Sequence, residues 1–300
     1  MTGTTRRVAI QGIRGSFHDI AARQFFGENL ELVPCETFAQ LFAALDSYAA
    51  DTALMAIENS VAGSILPNYS LMRGSRTHIV GEIYLRIAQN LMALPGQRVA
   101  DICEVRSHPM AINQSRAWFD AHPHIRLVES GDTASSAKAI ADEKLAGVGA
   151  IASELAAELF GLEVLARGIE TNKRNYTRFL VLSEHDIKGL DGYPDKASLC
   201  FSLPHQPGSL ARALSILSYY DIDLTKIQSL PIIGREWQYL FYVDVTYDDP
   251  VRYRQALSAM RPLTEIFEIM GEYRKGRKSF EQLQHEMAEQ PPTGSDIHDK

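Results

Sequence analysis

NYTRFLVL, residues 175–182, runs from a polar and aromatic segment directly into apolar residues. The apolar end predicts a strand, and the alternation of side chains along a strand would place Thr177 and Phe179 on one face. Arg178 carries a rigid fork of donors that suits a carboxylate, and the Thr177 hydroxyl can donate a hydrogen bond to a leaving oxygen. The segment therefore predicts one wall of a ligand-binding cleft. The alternative is an edge strand with a solvated arginine.

The composition is that of an ordinary globular protein, and the chain is long enough for two domains. Of its 300 residues, 45% are apolar and 22% are charged, which is close to the average of globular chains. The formal net charge is −7, and no basic stripe offsets it, so we expect no nucleic-acid partner. Local basic sites for an acidic metabolite are compatible with this charge.

The cysteine content and the apolar runs bear on metals and on location. Cys35, Cys103 and Cys200 are far apart and lack the spacing of zinc ligands or of a disulfide framework. We therefore predict no metal site and a reducing compartment. No signal-peptide hydrophobic region opens the chain, and no apolar run is long enough to span a bilayer. These features favour a soluble, cytoplasmic protein without a membrane partner.

Short apolar runs alternate with helical patterns up to residue 182. The runs predict strands near 8–10, 31–34, 52–57, 79–94, 104–106 and 126–128, with 79–94 as one long strand or a pair. The patterns between them predict helices near 18–26, 37–49, 110–119 and 133–143, and one that follows Ser64 and ends at 72. This alternation favours parallel sheets with helices on their faces.

A glycine-containing loop separates the first strand from the first helix. Gly12 and Gly15 allow a tight turn, and Ser16 is a suitable N-cap. The third glycine of a dinucleotide fingerprint and the Lys-Ser/Thr pair of a Walker loop are missing. We therefore expect no nucleotide cofactor, although a helix N-terminus beside a strand end can hold an anion.

The pattern changes after residue 184. Residues 185–195 are polar and contain glycines and a proline, as expected of a linker. Strands near 197–203, 223–231, 237–245 and 265–272, with helices near 210–220 and 250–260, predict a second domain over 196–273. Their order is βαββαβ, which is typical of a ferredoxin-like fold. The charged segment 274–300 is expected to be a flexible tail.

Three polar clusters stand where a predicted strand ends and a helix or turn begins. They are Glu58-Asn59-Ser60, Ser107-His108-Pro109 with Gln114 following, and residues 175–179. In open α/β sheets, ligands bind outside the carboxyl ends of the strands. Together the clusters predict a site for a small polar anion. Helix capping by serine, asparagine and threonine is the alternative for each cluster alone.

These clusters occur in the order found in prephenate dehydratases, which the chain resembles over roughly residues 6–272. The segments that carry the resemblance are Gly12–Ala22, Ile57–Ser64, Ser107–Gln114, Gly131-Asp132-Thr133 and Asn175–Phe179. The βαββαβ segment resembles the ACT regulatory domain that follows the catalytic part in this family. The resemblance implies a catalytic domain over 1–184, built like a periplasmic binding protein, with two α/β lobes around a cleft. We expect the first lobe to take residues 1–80 and 176–184.

The resemblance implies conversion of prephenate to phenylpyruvate with loss of water and carbon dioxide. Aromatisation of the ring drives the reaction, so no cofactor is required. Matching positions imply catalytic roles for Thr177, Glu58, Arg178 and Phe179, with Glu58 as a relay or second acid. The residues implied to position the substrate are Asn59, Ser60, Ser107, Gln114 and Asn175. We expect Thr177, Glu58 and Gln114 to share one pocket.

Several of these positions also have simpler interpretations. Arg178 could form a structural ion pair, Phe179 could fill the core, and Glu58 could be solvated or cap a turn. His108 before Pro109 could cap a helix. His18 stands where the family commonly has serine, which leaves the role of the first loop open.

In the second domain, the resemblance implies a phenylalanine site between paired ACT domains. The implied allosteric residues are Pro207, Gly208, Ser209, Leu210, Gln228 and Ser229. Two residues depart from the family segment, because Gln228 replaces glutamate and Leu230 replaces arginine. We expect feedback by phenylalanine in a homodimer or homotetramer, with a purely structural dimerisation domain as the alternative.

Two other functions fit the same residues. An arogenate dehydratase acts on a substrate that differs from prephenate by an amino group in place of a keto group. A non-catalytic amino-acid-sensing protein would keep the two-lobed fold alone, although the intact Thr177-Arg178-Phe179 argues against it.

Overall fold

The structure is a computed structural model that describes residues 5–187 and 192–276. Its first part alternates strands with helices, as the apolar runs predicted. The elements are β1 Arg6–Gln11, α1 Phe17–Phe26, β2 Leu30–Cys35, α2 Phe38–Asp46, β3 Thr52–Asn59, β4 Gly63–Ser64, α3 Leu66–Arg73 and β5 His78–Arg86. Ser16 caps α1 by accepting a hydrogen bond from the Asp19 backbone N–H at 3.3 Å, which confirms the predicted N-cap.

The middle part of the chain also alternates strands with helices, and its elements form a second lobe. They are β6 Asn90–Ala93, β7 Glu104–Ser107, α4 Pro109–Gln114, α5 Arg116–Asp120, β8 Arg126–Glu129, α6 Thr133–Glu143, β9 Val148–Ala152, α7 Glu154–Phe160 and β10 Glu163–Ala166. After them the chain returns as β11 Tyr176–Ser183. The predicted strand 79–94 is a pair, since β5 and β6 lie in different sheets.

The returning strand completes the first lobe. The first sheet has the order β2-β1-β3-β11-β5, with β4 attached to β3, and the second has the order β10-β6-β9-β7-β8. β11 runs antiparallel between β3 and β5. The lobes are therefore joined by two crossover segments, residues 87–89 and 167–175. The crossovers are tied together, since Ile87 N–H donates to the Asn175 carbonyl and Ile169 N–H to the Gln89 carbonyl, both at 2.7 Å.

Two predicted features of the second lobe differ from the structure. The helix expected over 110–119 is broken at Ser115 into α4 and α5. The elements β9, α7 and β10 were not predicted, because their alanine-rich sequence carries little contrast between apolar and polar faces. The first lobe also extends through β5 to Arg86, beyond the expected limit at residue 80.

The C-terminal part is a four-stranded antiparallel sheet with two helices. Its elements are β12 Lys196–Ser202, α8 Ser209–Tyr219, β13 Asp223–Pro231, β14 Tyr239–Thr246, α9 Pro250–Met260 and β15 Ile266–Tyr273. The sheet order is β13-β14-β12-β15, so the βαββαβ succession forms a ferredoxin-like layer. Most of the expected tail, 277–300, lies outside the described residues, as do 188–191 of the expected linker.

Both faces of the first sheet are covered. α1 packs on one face, in a core that includes Val8, Leu54 and Phe179. On the other face, α2 and α3 pack together with residues of the C-terminal sheet such as Tyr242 and Met270. The C-terminal domain is thus part of the core of the first lobe. Among the described residues, none of the helices combines the length and apolarity needed to cross a bilayer.

The two sheets also meet edge to edge, where β15 approaches β5. Gly271 of β15 lies so close to β5 that an added Cβ would come within 2.2 Å of the Ile79 carbonyl oxygen. Glycine is therefore required here for space rather than for an unusual backbone angle. The close approach shields one edge of each sheet from solvent.

We expect Gly271→Ala to destabilise the fold, because the methyl group forces the two backbones apart. Such overpacking costs roughly 1–3 kcal/mol, which thermal denaturation would record as a fall in Tm of several degrees. Gly74→Ala is the matched control, because its Cβ would meet its nearest neighbours at 3.7 Å. An unchanged Tm for Gly271→Ala would show that the edges are not in firm contact.

Candidate active site

A β-bulge decides which side chains of β3 and β11 face the cleft. The ladder pairs Thr177 with Asn59 and Arg178 with Glu58, and then shifts so that Phe179 pairs with Ala56. One residue of β3, at position 57, is therefore left without a partner, and such a bulge changes the face to which the following side chains point. As a result, Thr177 and Asn59 share one face of the sheet. Arg178 and Glu58 share the opposite face.

Asn59 organises the polar group on the cleft face. Its Nδ2 donates to Asn175 Oδ1 at 2.8 Å and to Thr177 Oγ1 at 3.0 Å. Its Oδ1 accepts from the backbone N–H groups of Val61 and Ala62 at 3.0 and 2.9 Å. The asparagine side chain is thus held by the turn after β3, and its orientation follows from that turn.

The second lobe and both crossovers contribute to the same group. Gln114, at the end of α4, donates from Nε2 to Asn59 Oδ1 at 3.3 Å. Its Oε1 accepts from Asn175 Nδ2 at 2.8 Å and from Gln89 Nε2 at 3.3 Å. We call Asn59, Gln89, Gln114, Asn175 and Thr177 the amide cluster. It joins the two lobes where the crossovers pass between them.

Thr177 is the hydroxyl of this cluster, and it is only 9% exposed. Asn59 is the donor in the hydrogen bond to Thr177 Oγ1. A hydroxyl has one proton and can accept as well as donate. The proton of Thr177 is therefore directed away from Asn59 and is available to an acceptor on a ligand.

The structure corrects the expected role of Arg178, which was to pair with a substrate carboxylate. Its guanidinium is buried and donates to Glu82 at 2.6 Å, to the Asp244 carboxylate and to the Tyr273 hydroxyl at 2.9 Å. Burial alone would lower the pKa of Arg178, but the charges of Asp244 and Glu82 raise it well above its ordinary value. The structural ion pair, which the sequence left open, is the arrangement observed.

Glu58 also differs from expectation. Its carboxylate lies on the face opposite to Thr177, at 2.7 Å from Lys226 Nζ and 4.0 Å from Arg178 Nη1. The bulge at position 57 is the physical reason, since it brings Glu58 to the face of Arg178. Of the three residues expected together, Thr177 and Gln114 are linked through Asn59, whereas Glu58 lies apart from them on the other face of the sheet.

Two further predicted residues hold the backbone around the site. Ser60 Oγ donates to the Arg174 carbonyl at 3.0 Å and accepts from Tyr176 N–H at 2.9 Å. Ser107 is fully buried and donates to the Ile151 carbonyl at 2.7 Å, which joins β7 to β9. These hydroxyls act within the protein, so substrate contact by either one would need a change of hydrogen bonding.

The aromatic and histidine positions have structural partners as well. Phe179 is buried in the core beneath α1, in an edge-to-face contact with His18 at 4.9 Å, which is the alternative named for it. His108 caps α4 by accepting from Met110 N–H at 3.2 Å. The second observation agrees with the capping interpretation.

Gln89 belongs to the cluster although no pattern in the sequence indicated it. It lies in the first crossover, outside any strand, and its backbone N–H donates to the buried carboxylate of Glu170 at 2.9 Å. Glu170 is in the second crossover and is 1% exposed. A motif search could not have paired these residues, because their contact exists only once the two crossovers lie side by side.

The first loop also contacts the second lobe. Ser153 Oγ, at the start of α7, donates to the Gly15 carbonyl at 2.6 Å. An added Cβ on Gly15 would come within 3.1 Å of Ala156. Gly12 has a φ of +91° and faces the side chain of Asp132 in the same way. The Gly12–Ser16 loop therefore packs directly on the N-termini of α6 and α7.

The predicted allosteric residues lie on separate elements of the C-terminal domain. Gly208 adopts a φ of +78° at the N-cap of α8, and Arg212 donates to the Pro207 carbonyl and the Ser209 hydroxyl at 3.3 and 3.2 Å. Gln228 and Ser229 lie on β13, the edge strand of the sheet. Leu210 packs at the margin of the core beneath α8.

The family assignment follows from residues 8–187, which match the model of a family described as prephenate dehydratase. The chain belongs to the prephenate dehydratase family. The matched residues contain both lobes and the amide cluster. Among the residues that the structure describes, no group of three or more histidines, cysteines or acidic residues is placed to hold a metal.

Relatives and solved structures extend this likeness beyond the family match. Arogenate dehydratase 2 of Petunia hybrida is 37% identical over 286 residues, which cover 90% of this chain and 72% of the relative. Prephenate dehydratase of Arthrobacter aurescens in complex with L-Phe has a TM-score of 0.81 and 26% identity, and the alignment covers 94% of this chain and 98% of that one. A structure described as GqqA, a novel type of quorum quenching acylases, has a TM-score of 0.80 and 33% identity, with coverage of 90% and 98%.

His18, in the first turn of α1, packs against the first sheet. Its Nε2 accepts from the Ala56 backbone N–H at 3.4 Å, and the rings of Phe38 and Phe179 lie beside it. Burial lowers the pKa of His18 to about 3. The imidazole is therefore neutral at neutral pH and is not a general acid there.

We expect this histidine to make the fold sensitive to acid. A base whose pKa is lower in the folded chain than in the unfolded chain binds fewer protons when the chain is folded. The free energy of unfolding therefore keeps the full contribution of His18 above pH 6.5 and loses it progressively as the pH falls from 6.5 towards 3. Between pH 6.5 and 5 the loss amounts to at most about 2 kcal/mol.

Thermal denaturation at pH 7.5 and 5.0 would measure this loss, and His18→Gln should reduce the difference between the two pH values. His205→Gln, on the exposed loop before α8, is the matched control. Equal pH dependence in wild type and His18→Gln would contradict the neutral, buried state of the ring.

Proposed function

We propose that the protein is a prephenate dehydratase that converts prephenate to phenylpyruvate, with the amide cluster as part of its active site. The observation that carries this proposal is the hydrogen-bonded group of Thr177, Asn59, Gln114 and Asn175 between the two lobes. These positions lie within segments that match the family. Gln89, which the sequence did not indicate, completes the group.

The chemistry suits a site built from oriented neutral donors. Loss of the carboxylate and the ring hydroxyl leaves an aromatic ring, so the protein mainly has to hold the substrate and stabilise the departing oxygen. Thr177 is too weak an acid to transfer a proton outright at neutral pH. It acts instead as a donor aimed at the leaving hydroxyl, because Asn59 occupies its acceptor side.

The position of Glu58 simplifies this mechanism. Its carboxylate is paired with Lys226 on the other face of the sheet, so it does not relay a proton to Thr177 in this conformation. The C–carboxylate and ring C–O bonds break as carbon dioxide departs and the ring becomes aromatic, and the oxygen leaves as hydroxide that takes its proton from solvent. Asn59, Gln114 and Asn175 position the polar groups of the substrate.

Replacing Thr177 by valine should lower kcat by about 10²–10³-fold, as expected for loss of one positioned donor to a developing charge. The substitution keeps the shape of the side chain, so the fold and its Tm should change little. Formation of phenylpyruvate from prephenate, followed by its ultraviolet absorbance, gives the rate. Thr177→Ser retains the hydroxyl and is the matched control, and full activity of Thr177→Val would remove this hydroxyl from the mechanism.

Arogenate is the second candidate substrate, because the Petunia relative is named an arogenate dehydratase. The amide cluster acts on the ring hydroxyl, which both substrates carry. Comparing kcat/KM for prephenate and arogenate on the same preparation decides between them. An acylase activity, suggested by the description of GqqA, is less well supported, because the side chain bonded to Thr177 Oγ1 is the donating amide of Asn59, whereas activation of a nucleophile requires a base that accepts the hydroxyl proton.

We also propose that residues 196–273 form an ACT domain that binds phenylalanine and lowers turnover. The antiparallel βαββαβ layer and the likeness to a prephenate dehydratase in complex with L-Phe support this role. The binding residues would be Pro207, Gly208, Ser209, Leu210, Gln228 and Ser229. Pairing of two such domains would make the protein a homodimer or a homotetramer, and a cytoplasmic location is consistent with the free cysteines.

Gly208→Ala should weaken the response to phenylalanine, because its φ of +78° is one that alanine rarely adopts. The turn before α8 would shift, and the concentration of phenylalanine needed for half-maximal inhibition should rise by roughly 5- to 30-fold, as a strain of about 1–2 kcal/mol implies. Gly234→Ala, with a φ of +80° in an open hairpin loop, is the matched control. Absence of any phenylalanine effect on the wild type would refute the regulatory proposal.

A further inference from the structure

Two residues of the amide cluster are each adjacent in the chain to a charged residue whose side chain lies on the opposite face of the sheet. Thr177 and Asn59 face each other across the β3–β11 ladder, and their chain neighbours Arg178 and Glu58 form the next pair. Each cluster residue is therefore one peptide unit away from a charged residue on the other face. We call these four residues the double rung.

The C-terminal domain holds Arg178 through two strands. Asp244 of β14 pairs with the guanidinium, and the Tyr273 hydroxyl of β15 accepts from Nη2 at 2.9 Å. Asp244 is itself fixed by Ser198 Oγ of β12, which donates to its Oδ1 at 2.5 Å. Three adjacent strands of the C-terminal sheet thus determine where Arg178 lies.

The same domain holds Glu58 through a third contact. Lys226 of β13 lies 2.7 Å from the Glu58 carboxylate and donates to Ser64 Oγ at 2.9 Å. The Lys226 side chain is 10% exposed. The C-terminal domain therefore contacts the two strands of the double rung through different residues. Asp244 binds Arg178 of β11, and Lys226 binds Glu58 of β3.

Burial strengthens the ion pair between Arg178 and Asp244. The side chains of Arg178 and Asp244 are 5% and 10% exposed, and ion pairs with little solvent around them are screened weakly. Burial would raise the pKa of Asp244, but the Arg178 charge lowers it below its ordinary value. Both partners are therefore charged at neutral pH, and separating them would leave an uncompensated buried charge.

We propose that Asp244 and Lys226 are positioning residues, through which the C-terminal domain sets the geometry of Thr177 and Asn59 in the cleft. The inference rests on the proposed function of Thr177. Because β11 and β3 are bound by different strands of the C-terminal sheet, a small rotation of that sheet changes the offset between β11 and β3. That offset controls the hydrogen bond from Asn59 and hence the direction of the Thr177 proton.

A neighbouring ion pair separates positioning from simple stabilisation. Lys196 of β12 lies 2.9 Å from Glu82 of β5, and both side chains are buried across the same domain interface. Neither residue adjoins a member of the amide cluster in the chain. Loss of Lys196 removes an interdomain ion pair of the same kind. It leaves the double rung with its contacts to Asp244 and Lys226, and leaves the bond from Arg178 Nε to Glu82 in place.

The experiment compares Asp244→Asn, Lys226→Met and Lys196→Met in the full-length protein. Steady-state turnover of prephenate or arogenate, whichever the wild type uses, gives kcat and KM, and thermal denaturation gives Tm. Asp244→Asn and Lys226→Met should lower kcat by roughly 3- to 30-fold, the range found for residues that act through a network, while KM changes by less than about twofold. Lys196→Met should lower Tm and leave kcat within about twofold. Lys226→Arg, which keeps the charge, should restore most of the activity.

A second readout follows the geometry without using activity. Amide hydrogen exchange of the segments 57–61 and 175–179 should be faster in Asp244→Asn and Lys226→Met than in wild type or Lys196→Met. A wild type inactive on both substrates would refute the proposed function, and hydrogen exchange would still decide the positioning claim.

Three results would overturn the inference. The first is a kcat for Lys226→Met equal to that of the wild type. The second is a loss of kcat in Lys196→Met as large as in Asp244→Asn, which would indicate a general effect of interface stability. The third is unchanged exchange in both segments. If Asp244→Asn does not fold, Lys226→Met is judged by the same criteria.

Discussion

The arrangement of the domains depends on one buried cation. Arg178 lies between the first sheet and the C-terminal sheet, and its donors are taken by Glu82, Asp244 and Tyr273. A guanidinium withdrawn from water is stable only when such partners are supplied in the right geometry. Since two of the three come from the C-terminal domain, folding of β11 and docking of that domain are parts of one process. The nearby apolar core of Met270, Tyr242 and Leu180 excludes the water that would otherwise screen the charge.

A single extra residue in β3 makes this arrangement compatible with a cleft. If side chains alternated regularly along both strands, Glu58 would lie on the same face as Leu54 and Ala56, beneath α1. The bulge at position 57 turns the acid towards the charged interface and turns Asn59 towards Thr177. The polar groups around Thr177 and the ion pairs of the domain interface are therefore separated by the thickness of one sheet. The Thr177 side holds amides and a hydroxyl, and the opposite side holds the ion pairs of Arg178 with Asp244 and of Glu58 with Lys226.

Local patterns predicted much of this fold and part of the site. Alternating strands and helices, the N-cap at Ser16 and the βαββαβ order depend on periodicity and capping, which are encoded over short distances. Thr177 and Gln114 were expected to lie together with Glu58, and the structure joins the first two through Asn59 instead. The partners of Arg178 were not anticipated, because Asp244 is 66 residues away in the chain and no local signal specifies it. The face of Glu58 was missed for a different reason, since a bulge becomes visible only when two strands are paired.

The path of the chain through the first sheet has a consequence for how the two-lobed form could arise. The second lobe leaves from β5 and returns to β11, and these strands are antiparallel neighbours, with Arg86 opposite Tyr176. A short hairpin turn could connect them without disturbing the order of the sheet. The second lobe is therefore topologically an insertion at a hairpin tip, a position where chains tolerate added sequence. On this view a one-lobed ancestor would have gained its cleft in a single step, by accepting a folded segment between two strands that were already paired.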